Sequence, residues 1–401
     1  MKSRARLIIL FGTLPIVTFT LLGGFLGRAS AREDTYQHLR VFEDVVSLIA
    51  NNYVEEVDLD SVMQGALRGL SGSLDIDSAY LSVEEVKQIE TREEQPEGEL
   101  GLEISSAFYI RVIAARDESP AAHAGLLPGD YIRTIDSQTT RGMSAIKGAQ
   151  LLRGEPGSIV RLSLLRGQNQ EPYDIQLTRR RMKDSNVTTR ILANNTGYIR
   201  VINFTVGTAN KLREVQSELR ELGATRLVID IRSTAGGSYE EGIAAAKLFV
   251  GSGTLLKRAE YDNEPTAIEA TAGEMAIDTP LALLINNGTA HAAELFAAGL
   301  SNHDRADTVG QKTAGLASQQ KLVKLPDGTG LWIPWAWYLH ESGELIHGSG
   351  IEPTLAVELP AVELGESLPT VDLILERALE HLHAGIISRD RRVAQLVRAP
   401  A

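Results

Sequence analysis

Cysteine is absent from all 401 residues, which excludes disulfide bridges, thiolate zinc sites and a cysteine nucleophile. Its absence suits an oxidising compartment without requiring one. Low-complexity tracts are missing as well, and the length is that of two or three globular domains. Positive charge is scarce, with a formal net charge of −12. Four basic residues, Lys2, Arg4, Arg6 and Arg28, lie in the first 31 positions, which hold no acidic partner, so 36 basic residues face 52 acidic ones in the remainder. That excess argues against nucleic acid or an anionic membrane surface as a partner. The cluster Arg389, Arg391, Arg392 and Arg398 is the exception and reads as a solvated helix end.

The basic start is followed by an uncharged apolar stretch from Leu7 to Gly27, the pattern of an export signal. Ala29-Ser30-Ala31 fits a small-residue cleavage site, yet the stretch is also long enough for one membrane span of about 20 residues, and its length favours a retained anchor. Either way, the basic end stays cytoplasmic and everything after Arg32 lies outside the inner membrane, anchored or periplasmic. From Tyr36 to Val54, Leu39, Phe42, Val46, Ile49 and Tyr53 recur at spacings of three and four. They predict an amphipathic helix whose stripe docks on a neighbouring domain. A second helix runs through Val62, Leu67 and Leu70, and the acidic stretch 91–99 reads as a linker.

Between 98 and 180, short β-type runs (GELGLEIS, YIRVIAA, DYIRTID, IVRLSLLR) are separated by Gly, Pro and Asp. SPAAHAGLLPGD predicts a short helix before a Pro-Gly-Asp turn, and MSAIKGAQLLRGEPGS a helix closed by Gly154 and Pro156. With these landmarks the module resembles a PDZ domain of the bacterial circularly permuted kind. The resemblance implies capture of peptide C-termini as an added strand, with the carboxylate held at the loop Glu99-Leu100-Gly101-Leu102.

From Gly197 strands and helices alternate: GYIRVINF, a helix with Leu212, Val215, Leu219 and Leu222 on one face, RLVIDI, EEGIAAAKLFV, LALLI and AAELFAAGL. Such alternation predicts an α/β core of largely parallel strands, with ligands at their carboxyl ends. Two strand ends stand out, RSTAGG at 232–237 and NNGTAHAAE at 286–294. The tryptophans Trp332, Trp335 and Trp337 read as packing in a β segment.

Together with VGQKTAGLASQQ (309–320), GSGIEP (348–353), NNYVEEVD and SLDIDSAYL, these segments resemble the C-terminal processing peptidases, or tail-specific proteases, over nearly the whole chain after the leader. The resemblance implies a multi-domain α/β fold. Its parts are a signal or anchor (1–31), an N-terminal helical segment (32–95), a PDZ domain (96–182), a ClpP/crotonase-like peptidase core (183–360) and a C-terminal helical segment (361–401). It implies no cofactor and no metal. In the family the turn close to RNNPGG supplies oxyanion donors, which places Gly236, Gly237 and Ala292 in that role. The nucleophilic serine of the motif close to NxGSASASE aligns with His291, and the catalytic lysine of the motif close to GEKTFGKGSVQ aligns with Leu316. Gln320 matches the glutamine that supports the lysine. Lys312 matches a lysine upstream of the base, and Thr289 lies two residues from the nucleophile position, too far to replace it.

His291 has three readings: a nucleophile or base in a rearranged site, a metal ligand with His303 and Asp304 or another carboxylate, or a polar side chain that fills the old nucleophile pocket and bonds the strand end near Gly236. The third is favoured, and Glu294 reads as a structural carboxylate. The function expected is an exported, PDZ-containing member that binds polypeptide C-termini without efficient cleavage, in company with an active relative. The alternative is an active serine-type peptidase with a rearranged site.

Overall fold

The computed structural model describes residues 38–91, 95–167, 171–182, 186–270, 276–366 and 369–384. The expected leader, its cleavage site and the Arg389–Arg398 cluster lie outside them. Among the described residues no helix is long and apolar enough to cross a membrane. The chain divides into two compact units, Met1–Gly69 and Leu70–Ala401.

In the first unit a helix covers 38–52, as the spacing predicts. Along its stripe Leu39, Ile49 and Tyr53 are exposed and Phe42 and Val46 are partly buried. The periodicity fixes which side chains share a face, but not what covers that face. The next helix is Leu59–Gly72.

The second unit begins with an element the helical reading of 32–95 does not contain. Ala79–Leu81 is a strand, and it pairs antiparallel with the long strand Gly330–Leu339. A helix, Val83–Thr91, follows it. Then comes the PDZ sheet, in the order Leu102–Ser106, Ile110–Ala115, Tyr131–Ile135, Ile159–Leu165 and Tyr173–Thr178. Both predicted helices are present. Pro120–His123 is capped by the Ser119 side chain with proline at its start, and Ala145–Leu152 is capped by Ser144. Leu102–Ser106 is the edge strand and lies beside Ala145–Leu152, the geometry that accepts an added peptide strand.

The core is a six-stranded sheet ordered Val187–Leu192, Thr196–Val201, Arg226–Asp230, Leu281–Ile285, Asp307–Gly310 and Leu355–Ala356, parallel except for its first pair. Period-two alternation sorts its side chains between two cores. Ile199, Leu227, Ile229, Leu283 and Ile285 face the helices Thr208–Glu221, Tyr239–Lys247 and Ala292–Ser301. Val228, Ala282, Leu284 and Val309 meet Ile374, Ala378 and Leu382 of a C-terminal helix over 373–384. Because both faces are covered, LALLI carries no polar residue. A second sheet, all antiparallel and not foreseen, joins Ala79–Leu81, Gly330–Leu339, Thr254–Glu260, Thr266–Glu269 and Ser318–Lys324. It carries the three tryptophans: Arg258 sits over the Trp335 ring, and Trp337 stacks on His347.

The PDZ domain is tied to the core by charge and by close approach. Buried Arg200 makes two bonds to Asp117, at 2.8 and 2.9 Å, and also donates to the Asp230 carbonyl and the Thr234 hydroxyl. A Cβ at Gly288 would lie 2.6 Å from Pro128 and 3.0 Å from the Ile113 carbonyl, so only glycine admits the PDZ turn at this corner.

Candidate functional site

Asn286–His291 and Arg232–Gly237 leave the carboxyl ends of adjacent parallel strands, Leu281–Ile285 and Arg226–Asp230. Hydrogen bonds sew the two turns together. Asn286 Oδ1 accepts from the Ser233 N–H (2.8 Å), and the Ala290 N–H donates to the Thr234 carbonyl (3.0 Å). The Thr289 hydroxyl is fully buried and donates to the Ile231 carbonyl, so it belongs to this seam and offers no nucleophile.

His291 begins the helix Ala292–Ser301 with φ 54° and ψ −119°. A non-glycine residue rarely adopts this conformation, and it is the kind of strained strand-to-helix corner on which a nucleophile is displayed. The imidazole stands partly exposed at the nucleophile position. Its partner is not the Gly236 strand end but Tyr239, on the helix that follows the glycine turn. The Tyr239 hydroxyl donates to the Ser318 carbonyl (2.5 Å) and accepts from Nδ1–H of His291 (3.0 Å). Burial pushes the imidazole pKa below its ordinary value, against the opposing pull of Asp77 and the Leu316 carbonyl. Asp77 takes a hydrogen bond from the Ser318 hydroxyl (2.9 Å), and Gln320 donates to that same hydroxyl (2.9 Å). Gln320 is therefore committed to Ser318.

Strain at this corner has a measurable consequence. Alanine at position 291 keeps the unfavourable φ, whereas glycine relieves about 1–3 kcal/mol of it. His291→Gly is expected to be more stable than His291→Ala by about 1 kcal/mol in urea unfolding, the reverse of the order inside an ordinary helix. Equal or inverted stabilities would show that the corner relaxes.

Leu316 is 4% exposed and packs with Ile113 and Ala114 of the PDZ strand, Ala235 and Ala290. An aliphatic side chain in this setting has no atom that can accept a proton. Lys312 pairs with Glu352 at 2.6 Å on the surface and is no substitute. His303 bonds the Thr254 carbonyl (3.0 Å), and among the described residues no three His, Asp or Glu groups are placed to hold a metal.

One carboxylate joins His291 and Leu316. Glu294, fully buried, accepts from the N–H groups of His291 (3.2 Å), Gly315 (2.7 Å) and Leu316 (2.7 Å) and from the Thr313 hydroxyl (2.5 Å). Burial pushes its pKa up to about 7 against the pull of these donors. The predicted oxyanion groups are open by comparison, since the N–H groups of Gly236, Gly237 and Ala292 donate to no acceptor among the described residues. Gly237 is held at φ 112° against the Phe204 carbonyl. A Cβ on Gly236 would strike the Asn203 amide and lie 3.0 Å from the carboxylate of Glu103, a PDZ residue.

The predicted peptide loop leads into the edge strand. Gly101 has φ 70°, and a Cβ there would lie 2.3 Å from Ser119. The N–H groups of Leu100 and Gly101 donate to no acceptor among the described residues. Leu100, Leu102, Ile104, Ile146, Ala149 and Leu152 supply half the lining of a groove of about 260 Å³, whose rim also carries Glu99, Glu103, Arg116 and Arg153. Glu99 faces sideways, paired with Arg116 (3.0 Å) and Arg153 (3.1 Å). Sequence reasoning missed Tyr239, Ser318 and Asp77. Asp77 lies in the SLDIDSAYL segment that carries the resemblance, whereas nothing in the sequence marks Tyr239.

Comparison with known proteins agrees with this layout. The model of peptidase family S41 matches residues 195–357, and a PDZ-domain model matches 111–166. The carboxy-terminal-processing protease of Bartonella bacilliformis is 30% identical over 337 residues, covering 82% of this chain and 77% of that protein. The carboxy-terminal processing protease CtpA of Bacillus subtilis is 30% identical over 315 residues, covering 78% and 67%. The carboxyl-terminal-processing protease of Synechocystis is 31% identical over 294 residues, covering 72% and 69%. Among solved structures, the photosystem II D1 C-terminal processing protease superposes with a TM-score of 0.66 at 25% identity, over 79% of this chain and 92% of that one. The chain belongs to the carboxy-terminal processing proteases of peptidase family S41 and carries their PDZ domain.

Proposed function

We propose that this protein is an exported, non-cleaving member of the family that captures exposed polypeptide C-termini in its PDZ groove, holding or delivering them alongside an active relative. The observation that carries the reading is the joint occupancy of the two catalytic positions by His291 and by Leu316 in its apolar surroundings. Loss of the nucleophile alone lowers kcat by about 10⁶ in a well-studied serine protease, or roughly 8 kcal/mol of barrier. Here the base is missing as well. The groove supports the binding half of the proposal, with free loop N–H groups, an edge strand and an apolar floor for the last side chain.

The test is to incubate the purified protein with an unstructured protein bearing a C-terminal tag. Binding that requires a free C-terminal carboxylate, without appearance of a shortened product, is expected. Cleavage that disappears in His291→Ala would overturn the proposal and favour a rearranged active site. Export and anchoring are tested separately, by fractionation of cells and the mass of the mature chain.

A further inference from the structure

His291 carries one ring nitrogen that the fold leaves unused. Because the Tyr239 hydroxyl gives its own proton to the Ser318 carbonyl (2.5 Å), it accepts from Nδ1–H of His291 (3.0 Å), and the lone pair falls on Nε2. Eight side-chain atoms among the described residues are sealed from solvent without a hydrogen-bond partner. Nε2 of His291 has no partner among those residues either, yet it is not one of the eight, so it meets solvent. The N–H of Ala292, next in the chain, is unspent, and so are those of Gly236 and Gly237. Their turn is held to this corner by the bond from the Ala290 N–H to the Thr234 carbonyl (3.0 Å). A lone pair displayed on a strained corner beside free oxyanion donors is a nucleophile with its electrostatic support in place. What it can attack is decided by the leaving group.

The geometry points to a further activity: hydrolysis of activated acyl groups, thioesters and acidic phenyl esters, through a covalent acyl intermediate on Nε2 of His291. The lone pair of Nε2 adds to the acyl carbon, and the carbonyl π electrons move onto an oxyanion facing the free N–H groups. The intermediate expels whichever attached group is the weaker base. Imidazolium has a pKa of about 6.5 and a thiol one of about 8.5, so a thiolate or an acidic phenolate competes with imidazole. The C–S or C–O bond breaks and its electron pair departs on sulfur or oxygen. Water then adds to the acyl carbon, the C–N bond breaks with its pair returning to Nε2, and the proton released by water neutralises the departed anion through solvent. One ester or thioester and one water become a carboxylic acid and a phenol or thiol. An amide takes the reverse course, because an amine anion is a far stronger base than imidazole and leaves only if a proton reaches it. No group here delivers one: Leu316 is aliphatic, the Tyr239 proton is committed to Ser318, and Glu294 is fully buried. Toward peptides Nε2 is therefore no effective nucleophile, so this activity goes beyond the capture reading and leaves peptides uncut.

The test follows p-nitrophenyl acetate with the full-length protein, and p-nitroacetanilide as the amide control. The ester should be hydrolysed at least about tenfold faster than by equimolar imidazole, since one preorganised oxyanion donor is worth about 10²–10³. The anilide should be untouched, and His291→Gln should fall to the rate of the remaining histidines. With p-nitrophenyl trimethylacetate, whose hindered acyl-imidazole hydrolyses slowly, peptide mass spectrometry should find the acyl group on His291. Asp77 and the Leu316 carbonyl favour the charged ring, burial and His347 the neutral one, and burial prevails. The ester rate should therefore rise with pH and level off with a midpoint below that of an ordinary histidine. Tyr239→Phe, which keeps the stack on Tyr338 but removes the acceptor of Nδ1–H, should slow acylation severalfold and leave the adduct at His291. A rate no higher than that of imidazole, a rate unchanged in His291→Gln, or no adduct at His291 would each overturn the inference, and the adduct decides alone if the variant does not fold. Hydrolysis of the anilide as fast as the ester would overturn both this inference and the non-cleaving reading. Failure of peptide capture with ester turnover intact would count against capture alone.

Discussion

Replacing Glu294 by alanine is expected to destabilise the core by about 3–5 kcal/mol, because four buried donors lose their common acceptor at once. The carboxylate is bonded on one side to the corner at His291 and on the other to Thr313, Gly315 and Leu316, so its removal also frees the two loops from each other. Glutamine is no rescue. In either amide orientation an NH₂ group faces a backbone N–H, at Gly315 in one and at Leu316 and His291 in the other, and a deficit of about 1–3 kcal/mol should remain.

The pH dependence has a definite sign. A carboxyl raised from 4.5 to about 7 by burial holds its proton in the folded state where the unfolded chain has released it. Its contribution is complete below about 4.5 and declines as the pH rises through about 7. The stability gap between the parent and Glu294→Gln should therefore narrow over that interval and stay constant above it. Urea unfolding followed through the tryptophans of the antiparallel sheet measures this. A gap that widens with rising pH would mean that the four donors outweigh burial and keep the carboxylate charged.

Much of this architecture is legible in the sequence, and the boundary of legibility has a physical cause. LALLI followed by a glycine-containing corner and an alanine-rich helix encodes a strand, a tight turn and a packed helix between Leu281 and Ser301, so the corner can be read directly. The PDZ landmarks are equally local, each being a cap and a turn. What escapes is whatever depends on segments that meet only after folding. Tyr239 reaches His291 across 52 positions, and Ser318 reaches Asp77 across 241. The antiparallel sheet recruits Ala79–Leu81 from a stretch whose neighbours are helical, because its three residues are too few to show a period.

The largest functional change is expected from placing serine at 291 and lysine at 316 together. His291→Ser combined with Leu316→Lys should cleave an unstructured, C-terminally tagged protein at least about a hundredfold faster than the parent, against a ceiling near 10⁶ for a nucleophile and base acting as a unit. The corner needs no rebuilding for this. It already holds φ 54° and ψ −119° at a helix N-terminus, and Gly236, Gly237 and Ala292 keep N–H groups uncommitted for a developing oxyanion. The introduced amine would enter the apolar cluster of Ile113, Ala114, Ala235 and Ala290, where desolvation lowers its pKa toward neutrality and lets it take the serine proton. Two features hold the gain below the ceiling: Gln320 is bound to the Ser318 hydroxyl, and the oxyanion turn reads RSTAGG. Each single substitution should stay at background, because a serine without a base and an amine without a nucleophile are both inert. Activity in a single variant would mean that another group completes the dyad. A double variant that folds and binds peptide yet shows no cleavage would place the limit on its activity outside these two positions, in the turn or in the orientation of Gln320.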